Sequence, residues 1–378
     1  SYLGMSEAPL SSKAFQRFAK AVVFFSILLI WWGAATTTKK AGMAFADWPL
    51  SLGSVNPPGW LSNMVPFLEH SHRLLATLVG LLVLTLFAWA YIRSWRRTVE
   101  VIALVVTLAL VFALFIAAGA ERMDAEKKGM KLSLAIGASL VPIAWLIWSW
   151  RRPGWNLLQK LTALALLLVT TQAIFGGLRV TEISNAFAVI HGCFAQGFFC
   201  LLLLIVAVAG SGWNRIGFSG PAPALRFVRG AGIWLALLIS MQLIFGASMR
   251  HFHRFGLADE GILRTGGEWI PPFDEPIITV MFLHKFAAYL VFFFTVGILI
   301  RWNGGGWKGD GRVLRHLLVL LGLIAGQILL GISVIATGKH FWLTNIHVLN
   351  GLAILAVAFF FLVRAWRGRA SEPALAKA

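Results

Sequence analysis

A carboxylate, two imidazoles and a guanidinium fall within five consecutive residues, Glu69-His70-Ser71-His72-Arg73, at the head of an apolar run that continues to about Tyr91. A charged side chain in a membrane-length helix costs about 2.5–3.5 kcal/mol unless it finds a partner, so such groups mark function by default. Glu69 and His72 are three apart and share one helix face. His70, two from His72, points elsewhere. The pattern is an inward imidazole with a carboxylate one turn away.

His72 has counterparts. Gln172-Ala-Ile-Phe-Gly176, Gln242-Leu-Ile-Phe-Gly246 and Gln327-Ile-Leu-Leu-Gly331 each end an apolar run, and a first run ends similarly with Leu29 and Gly33. After each glycine comes a loop, then a histidine at the head of the next run. The spacing is 39 residues from Gly33 to His72, 15 from Gly176 to His191, 38 from Gly246 to His284 and 16 from Gly331 to His347. Long, short, long, short is the signature of a tandem duplication. His72-Arg73 even matches His284-Lys285.

The elements that must position these residues are membrane spans. The chain of 378 residues is 58% hydrophobic and only 13% charged, the composition of a polytopic membrane protein. Apolar runs near 20–36, 66–92, 100–119, 131–150, 158–178, 186–209, 230–248, 278–301, 315–336 and 342–365 predict ten spans. The first run has Lys13, Arg17 and Lys20 before it and no small-residue site after Trp31-Trp32, so it reads as a retained span. Most Lys and Arg lie in the two tails and after every second span, with few acids among them, whereas the alternate loops are nearly balanced. This positive-inside pattern predicts both termini in the cytoplasm and the four histidines near the outer face. The net charge of +18 is thus a topology signal, and nucleic-acid binding is excluded as its explanation.

The fold expected is all-α: a polytopic membrane protein of tandem duplicated four-helix bundles, residues 1–210 and 211–378. An inserted helical hairpin, residues 98–151, accounts for the longer His72-to-Gly176 interval in the first half. Its turn, Glu121 to Lys128, reads as solvated. Cys193 and Cys200 are seven apart on one helix face, roughly 10 Å along the axis, too far for a disulfide, and read as buried core thiols.

A pair of facing histidines in a four-helix bundle holds heme iron from both sides. His72, His191, His284 and His347 are therefore the candidate ligands, two per half. Zinc would require a third or fourth nearby ligand, and only the first half offers even Glu69. A proton relay would not require the duplication. His70, His251, His253, His316 and His340 have no repeat partner: His251 and His253 read as solvated, His316 as structural, His340 as a loop contact. The residues three before each candidate ligand are Glu69, Ala188, Met281 and Thr344, so a carboxylate accompanies only the first pair. Glu69 reads as a proton-transfer group, as an ion-pair partner of Arg73, or as both.

Several segments carry a resemblance. Asp47-Trp48-Pro49-Leu50, Gly53, Asn56-Pro57-Pro58, Glu69-His70-Ser71-His72-Arg73-Leu74-Leu75-Ala76 with Val79-Gly80-Leu81-Leu82, and Gly266-Gly267-Glu268-Trp269-Ile270-Pro271-Pro272 are similar to the bacterial heme A synthase family. The resemblance covers most of residues 20–366 outside the hairpin. It implies a bacterial inner-membrane enzyme that oxidises a ring methyl of heme O, in two steps, to the formyl group of heme A for terminal oxidase assembly. It further implies substrate heme in the first half, a permanent heme B in the second, a ferredoxin-like electron donor, and heme O synthase as a possible partner. Three departures stand out. The stretch after the first span is Thr36-Thr-Thr-Lys-Lys-Ala-Gly42, where the family often has Arg and Thr-Gly-Ser-Gly. The paired outer-loop cysteines of many members are missing, which excludes a thiol role. The family usually has eight spans. A diheme electron carrier acting on quinone would use the same four histidines without explaining Glu69 or the Asp-Trp-Pro loop. A non-catalytic heme chaperone is the third reading.

Overall fold

The computed structural model describes residues 11–121, 124–151, 154–252, 263–307 and 309–370. Among these residues ten helices are each long and apolar enough to cross a membrane. They are α1 (Lys13–Thr38), α2 (Met64–Tyr91), α3 (Trp95–Ala120), α4 (Ala125–Arg151), α5 (Leu157–Thr181), α6 (Asn185–Ala209), α7 (Ala222–His251), α8 (Pro276–Gly304), α9 (Gly311–Ala336) and α10 (Phe341–Trp366). The chain is an all-α multi-pass membrane protein.

The helices extend beyond the apolar runs because polar residues start them. Ser12, Asn63, Ser94 and Ser184 cap α1, α2, α3 and α6 by accepting a backbone N–H in the first turn. Asn156 and Gln159 form a reciprocal capping box on α5. Asp310 caps α9, and proline occupies the first turn of α7 and α8, where no N–H is needed.

The chain divides into two compact units, Ser1–Trp213 and Asn214–Ala378. In the first, α1 packs on α2, α2 on α5, α5 on α6 and α6 on α1, a closed ring of four. In the second, α7, α8, α9 and α10 close the same ring in the same order. Helices α2 and α6, and likewise α8 and α10, are diagonal partners whose backbones stay apart, with no Cα pair within 8 Å among the described residues.

The hairpin α3–α4 lies outside the first ring and packs chiefly against α5. Its turn is not simply solvated, as expected from sequence: Lys128 Nζ pairs with Glu182 at the end of α5 at 2.5 Å, and Lys131 with Glu121 at 2.7 Å.

Packing within each ring is uneven along its length. In the first unit the buried core, including Val22, Val83, Phe87, Leu166, Leu202 and Ile205, lies in the half of the ring away from the histidines. In the second, Leu235, Ile298, Leu317, Leu320 and Phe361 do the same. A two-stranded parallel pairing of β1 (Ser219–Gly220) with β2 (Arg369–Ala370) closes that end of the second unit. Toward the other end the four candidate ligand histidines are only half-buried.

Candidate functional site

Each candidate histidine packs against the glycine that precedes it in the repeat. A Cβ built on Gly33 of α1 would come within 3.0 Å of the His72 ring, and one on Gly176 of α5 within 3.1 Å of His191. The same atom on Gly246 of α7 would lie 3.0 Å from His284, and on Gly331 of α9 3.4 Å from His347. In every case the nearest ring atom is Cε1. The glycines of the repeat are therefore notches, and each imidazole lies edge-on in the notch of the helix before it.

The glutamines of the repeat lock the same junctions. Gln172 Nε2 donates to the His191 carbonyl at 2.8 Å, and Gln327 Nε2 to the His347 carbonyl at 3.0 Å. Asn350 donates to Gln327 Oε1 at 2.8 Å and fixes that amide. The His191 Nδ1 lies 3.1 Å from the Gln172 carbonyl. A carbonyl only accepts, so Nδ1 carries the proton and Nε2 keeps its lone pair, the arrangement that prepares an imidazole for a metal. His284 and His347 face the corresponding carbonyls of Gln242 and Gln327, short of full hydrogen-bond geometry. The Nδ1 atoms of His72, His284 and His347 are buried without a hydrogen-bond partner among the described residues.

His72 on α2 is within electrostatic reach of His191 on α6, and His284 on α8 of His347 on α10. Each pair thus spans the diagonal of its ring. Among the described residues no three His, Cys, Asp or Glu side chains converge on one point. Two imidazoles per ring, each set in a glycine notch, fit an iron porphyrin held from two faces, and among the described residues no third ligand joins them as a tetrahedral zinc site would need.

Glu69 is 3% exposed and fully engaged. Its Oε1 accepts from Arg73 at 2.5 Å, and Oε2 from the backbone N–H of Ala44 at 2.5 Å and of Phe45 at 3.2 Å. Arg73 also donates to the carbonyls of Phe45, Asp47 and Leu50. The ion pair expected from the four-residue spacing is present, and it is buried rather than a surface pair. His70 points away from His72: its ring nitrogens meet Ser51 Oγ at 2.9 Å and the Val55 carbonyl at 3.0 Å. Glu69, His70 and Arg73 together tie the loop of residues 41–62 to the head of α2.

That loop is itself ordered. Asp47 accepts from the N–H of Leu52 and of Gly53 at 2.9 and 2.8 Å. Ser51 and Ser54 exchange backbone hydrogen bonds across a turn in which Leu52 and Gly53 have φ of 52° and 68°. The indole of Trp48 lies over Gly177, where no side chain would fit, and 4.8 Å from the Phe112 ring of the hairpin. The second unit repeats the turn: Thr265 pairs with Glu268 around Gly266 and Gly267, both at positive φ. Lys285 Nζ donates to the Arg264 carbonyl at 2.8 Å, where Arg73 reaches the equivalent Leu50 carbonyl. These loop contacts extend the duplication beyond the helices.

The comparisons with known proteins agree in kind. A family model described as cytochrome oxidase assembly protein matches residues 132–359. The chain belongs to the cytochrome oxidase assembly protein family. Similar proteins include the heme A synthase of Beijerinckia indica subsp. indica, 29% identical over 201 residues, covering 50% of this chain and 54% of that protein. The heme A synthase of Bartonella quintana is 29% identical over 42% of this chain and 48% of its own. That of Bartonella henselae is 26% identical over 60% and 66%. The chain spans about half the length of the first two curated relatives it matches.

Among the remaining histidines of this assembly-family chain, His251 was expected in solvent but is buried at the end of α7, because the helix runs three residues past its apolar stretch. His253 lies outside the described residues. His316 is structural, as expected: its Nδ1 meets the Arg312 carbonyl at 2.9 Å and its ring packs on Phe218. His340 is exposed at the start of α10. Cys200 is buried and Cys193 half-buried, both free. Sequence reasoning missed Arg179, which lies within electrostatic reach of His72, His191 and Glu69. The repeat-equivalent position holds Val334, so the duplication could not reveal it; the second pair has a different arginine, Arg250 of α7, within electrostatic reach of His347.

Proposed function

We propose that this protein is a heme A synthase, converting heme O to heme A in a bacterial inner membrane for terminal oxidase assembly. The observation that carries the proposal is the notched histidine pair across each ring, taken with the family and the relatives named heme A synthase. Heme O is the substrate of the first unit, received between His72 and His191. His284 and His347 would hold heme B, which would supply one-electron redox chemistry when bound, and a ferredoxin-like donor supplies electrons one at a time. The ring methyl is oxidised to hydroxymethyl and then to a gem-diol, each step taking one oxygen atom from O2 while the second leaves as water with two electrons from the donor and two protons, and loss of water from the gem-diol leaves the formyl group. Heme O synthase is the source of the substrate. Both termini lie in the cytoplasm and both pairs lie near the outer face.

The chain's own residues do the positioning. The glycine notches fix ring direction for all four imidazoles. Gln172 holds His191 with Nε2 free to bind. Glu69 stands one turn outward of His72 and is the catalytic carboxylate, moving a proton during the oxidations. Arg73 and the N–H groups of Ala44 and Phe45 fix the carboxylate's orientation. The second unit has Met281 at the matching position, which supports placing the chemistry in the first unit and permanent binding in the second.

The test is expression in cells that make heme O but lack their own heme A synthase. Appearance of heme A in extracted pigments is the expected result. Bound heme B without any heme A, with heme O available, would instead favour the electron carrier.

A further inference from the structure

We infer that Arg179 is the anchor for a carboxylate side arm of the tetrapyrrole received by His72 and His191; this rests on the functional reading above. Arg179 lies in the last turn of α5, three residues beyond the Gly176 that backs His191. It is within electrostatic reach of both imidazoles of the pair. Its guanidinium lies over Gly42: a Cβ there would come within 2.7 Å of Nη2. The first loop therefore leaves a glycine-sized space for this group.

The guanidinium has no hydrogen-bond acceptor and no ion-pair partner among the described residues. The carboxylate that attracts it, Glu69, is already committed to Arg73 and to the N–H groups of Ala44 and Phe45. An arginine in a membrane-spanning helix is retained where an anion meets it, and its planar fork matches a carboxylate with two parallel hydrogen bonds. The site beside it is built for a tetrapyrrole, whose propionate arms are such carboxylates. Arg179 therefore sets the in-plane direction of the substrate, with the acid edge toward the loop of residues 41–62. It is a binding and positioning residue, not a catalytic one.

The test compares heme O with its dimethyl ester, in which both carboxylates are masked. Each is titrated into the purified full chain, and the component lost in His191→Ala defines first-unit binding. The wild type is expected to bind the free acid about 10- to 100-fold more tightly than the ester, the range of a charge-assisted hydrogen bond. Arg179→Ala should remove that preference by weakening the acid alone. Arg179→Lys should keep part of it. Gly42→Ala, which displaces the guanidinium without removing its charge, should also reduce it. An undiminished preference in Arg179→Ala, or equal weakening of acid and ester, overturns the inference. The functional reading is judged separately by heme A yield: a wild type that shows the preference but makes no heme A overturns that reading alone. No His191-dependent binding of either compound overturns both.

Discussion

A valine at Gly176 would drive its branched side chain into the His191 ring, since even a bare Cβ would stand 3.1 Å from Cε1. Overpacking of this kind costs about 1–3 kcal/mol, and here the ring is what can yield. Gly176→Val is therefore expected to displace the imidazole and lower first-unit porphyrin binding, while the second unit keeps its own low-spin absorption. Optical titration of the purified variant checks this, and unchanged binding in the first unit would count against the notch. Glu69 makes the second residue-scale prediction. Gln keeps its size and hydrogen-bonding capacity but cannot titrate, so Glu69→Gln is expected to keep both hemes and lose heme A production, with heme O or the hydroxymethyl compound accumulating. Glu69→Asp should retain part of the activity. Normal heme A from the Gln variant would reduce Glu69 to a tie between Arg73 and the loop.

The loop of residues 41–62 is held to the head of α2 by Glu69, His70 and Arg73. Partial burial of Asp47 opposes its ionisation, but the N–H groups of Gly53 and Leu52 and the charge of Arg73 outweigh it and hold the carboxyl below its ordinary 3.8. A depressed carboxyl stabilises the folded loop above its unfolded value, and that contribution is lost as pH falls through the folded value. Asp47→Asn is thus expected to lower amide protection at Leu52 and Gly53 near pH 7. The difference from wild type should begin to shrink as pH falls to about 3.8, the ordinary value, and vanish only below the lower value of the folded carboxyl. Hydrogen exchange followed by mass spectrometry reads this directly; equal protection at neutral pH would show that the turn holds without the carboxylate. Little of this loop was legible beforehand. Glu69 is held by the backbone N–H of Ala44 and Phe45, and a backbone donor leaves no trace in residue type. The helices were legible because apolar runs fix them, although polar caps such as Ser12 and Asp310 carry them several residues further.

At the scale of the whole chain, the repeat of glycine and histidine was readable because duplication copied one contact four times. The structure gives that contact its meaning: notch and ring, on neighbouring helices of each ring. Arg179 was not readable, since its repeat-equivalent position holds Val334, just as Met281 stands opposite Glu69. The asymmetry is the reason to assign substrate to one unit and a resident heme to the other. The most direct measurement is extraction and chromatographic identification of the hemes from the purified wild type and from His191→Ala and His347→Ala, expressed with heme O available. The account predicts heme B together with heme O or heme A in the wild type, loss of heme O and heme A with heme B retained in His191→Ala, and loss of heme B in His347→Ala. Full low-spin heme B in His347→Ala, or heme O and heme A undiminished in His191→Ala, would contradict it.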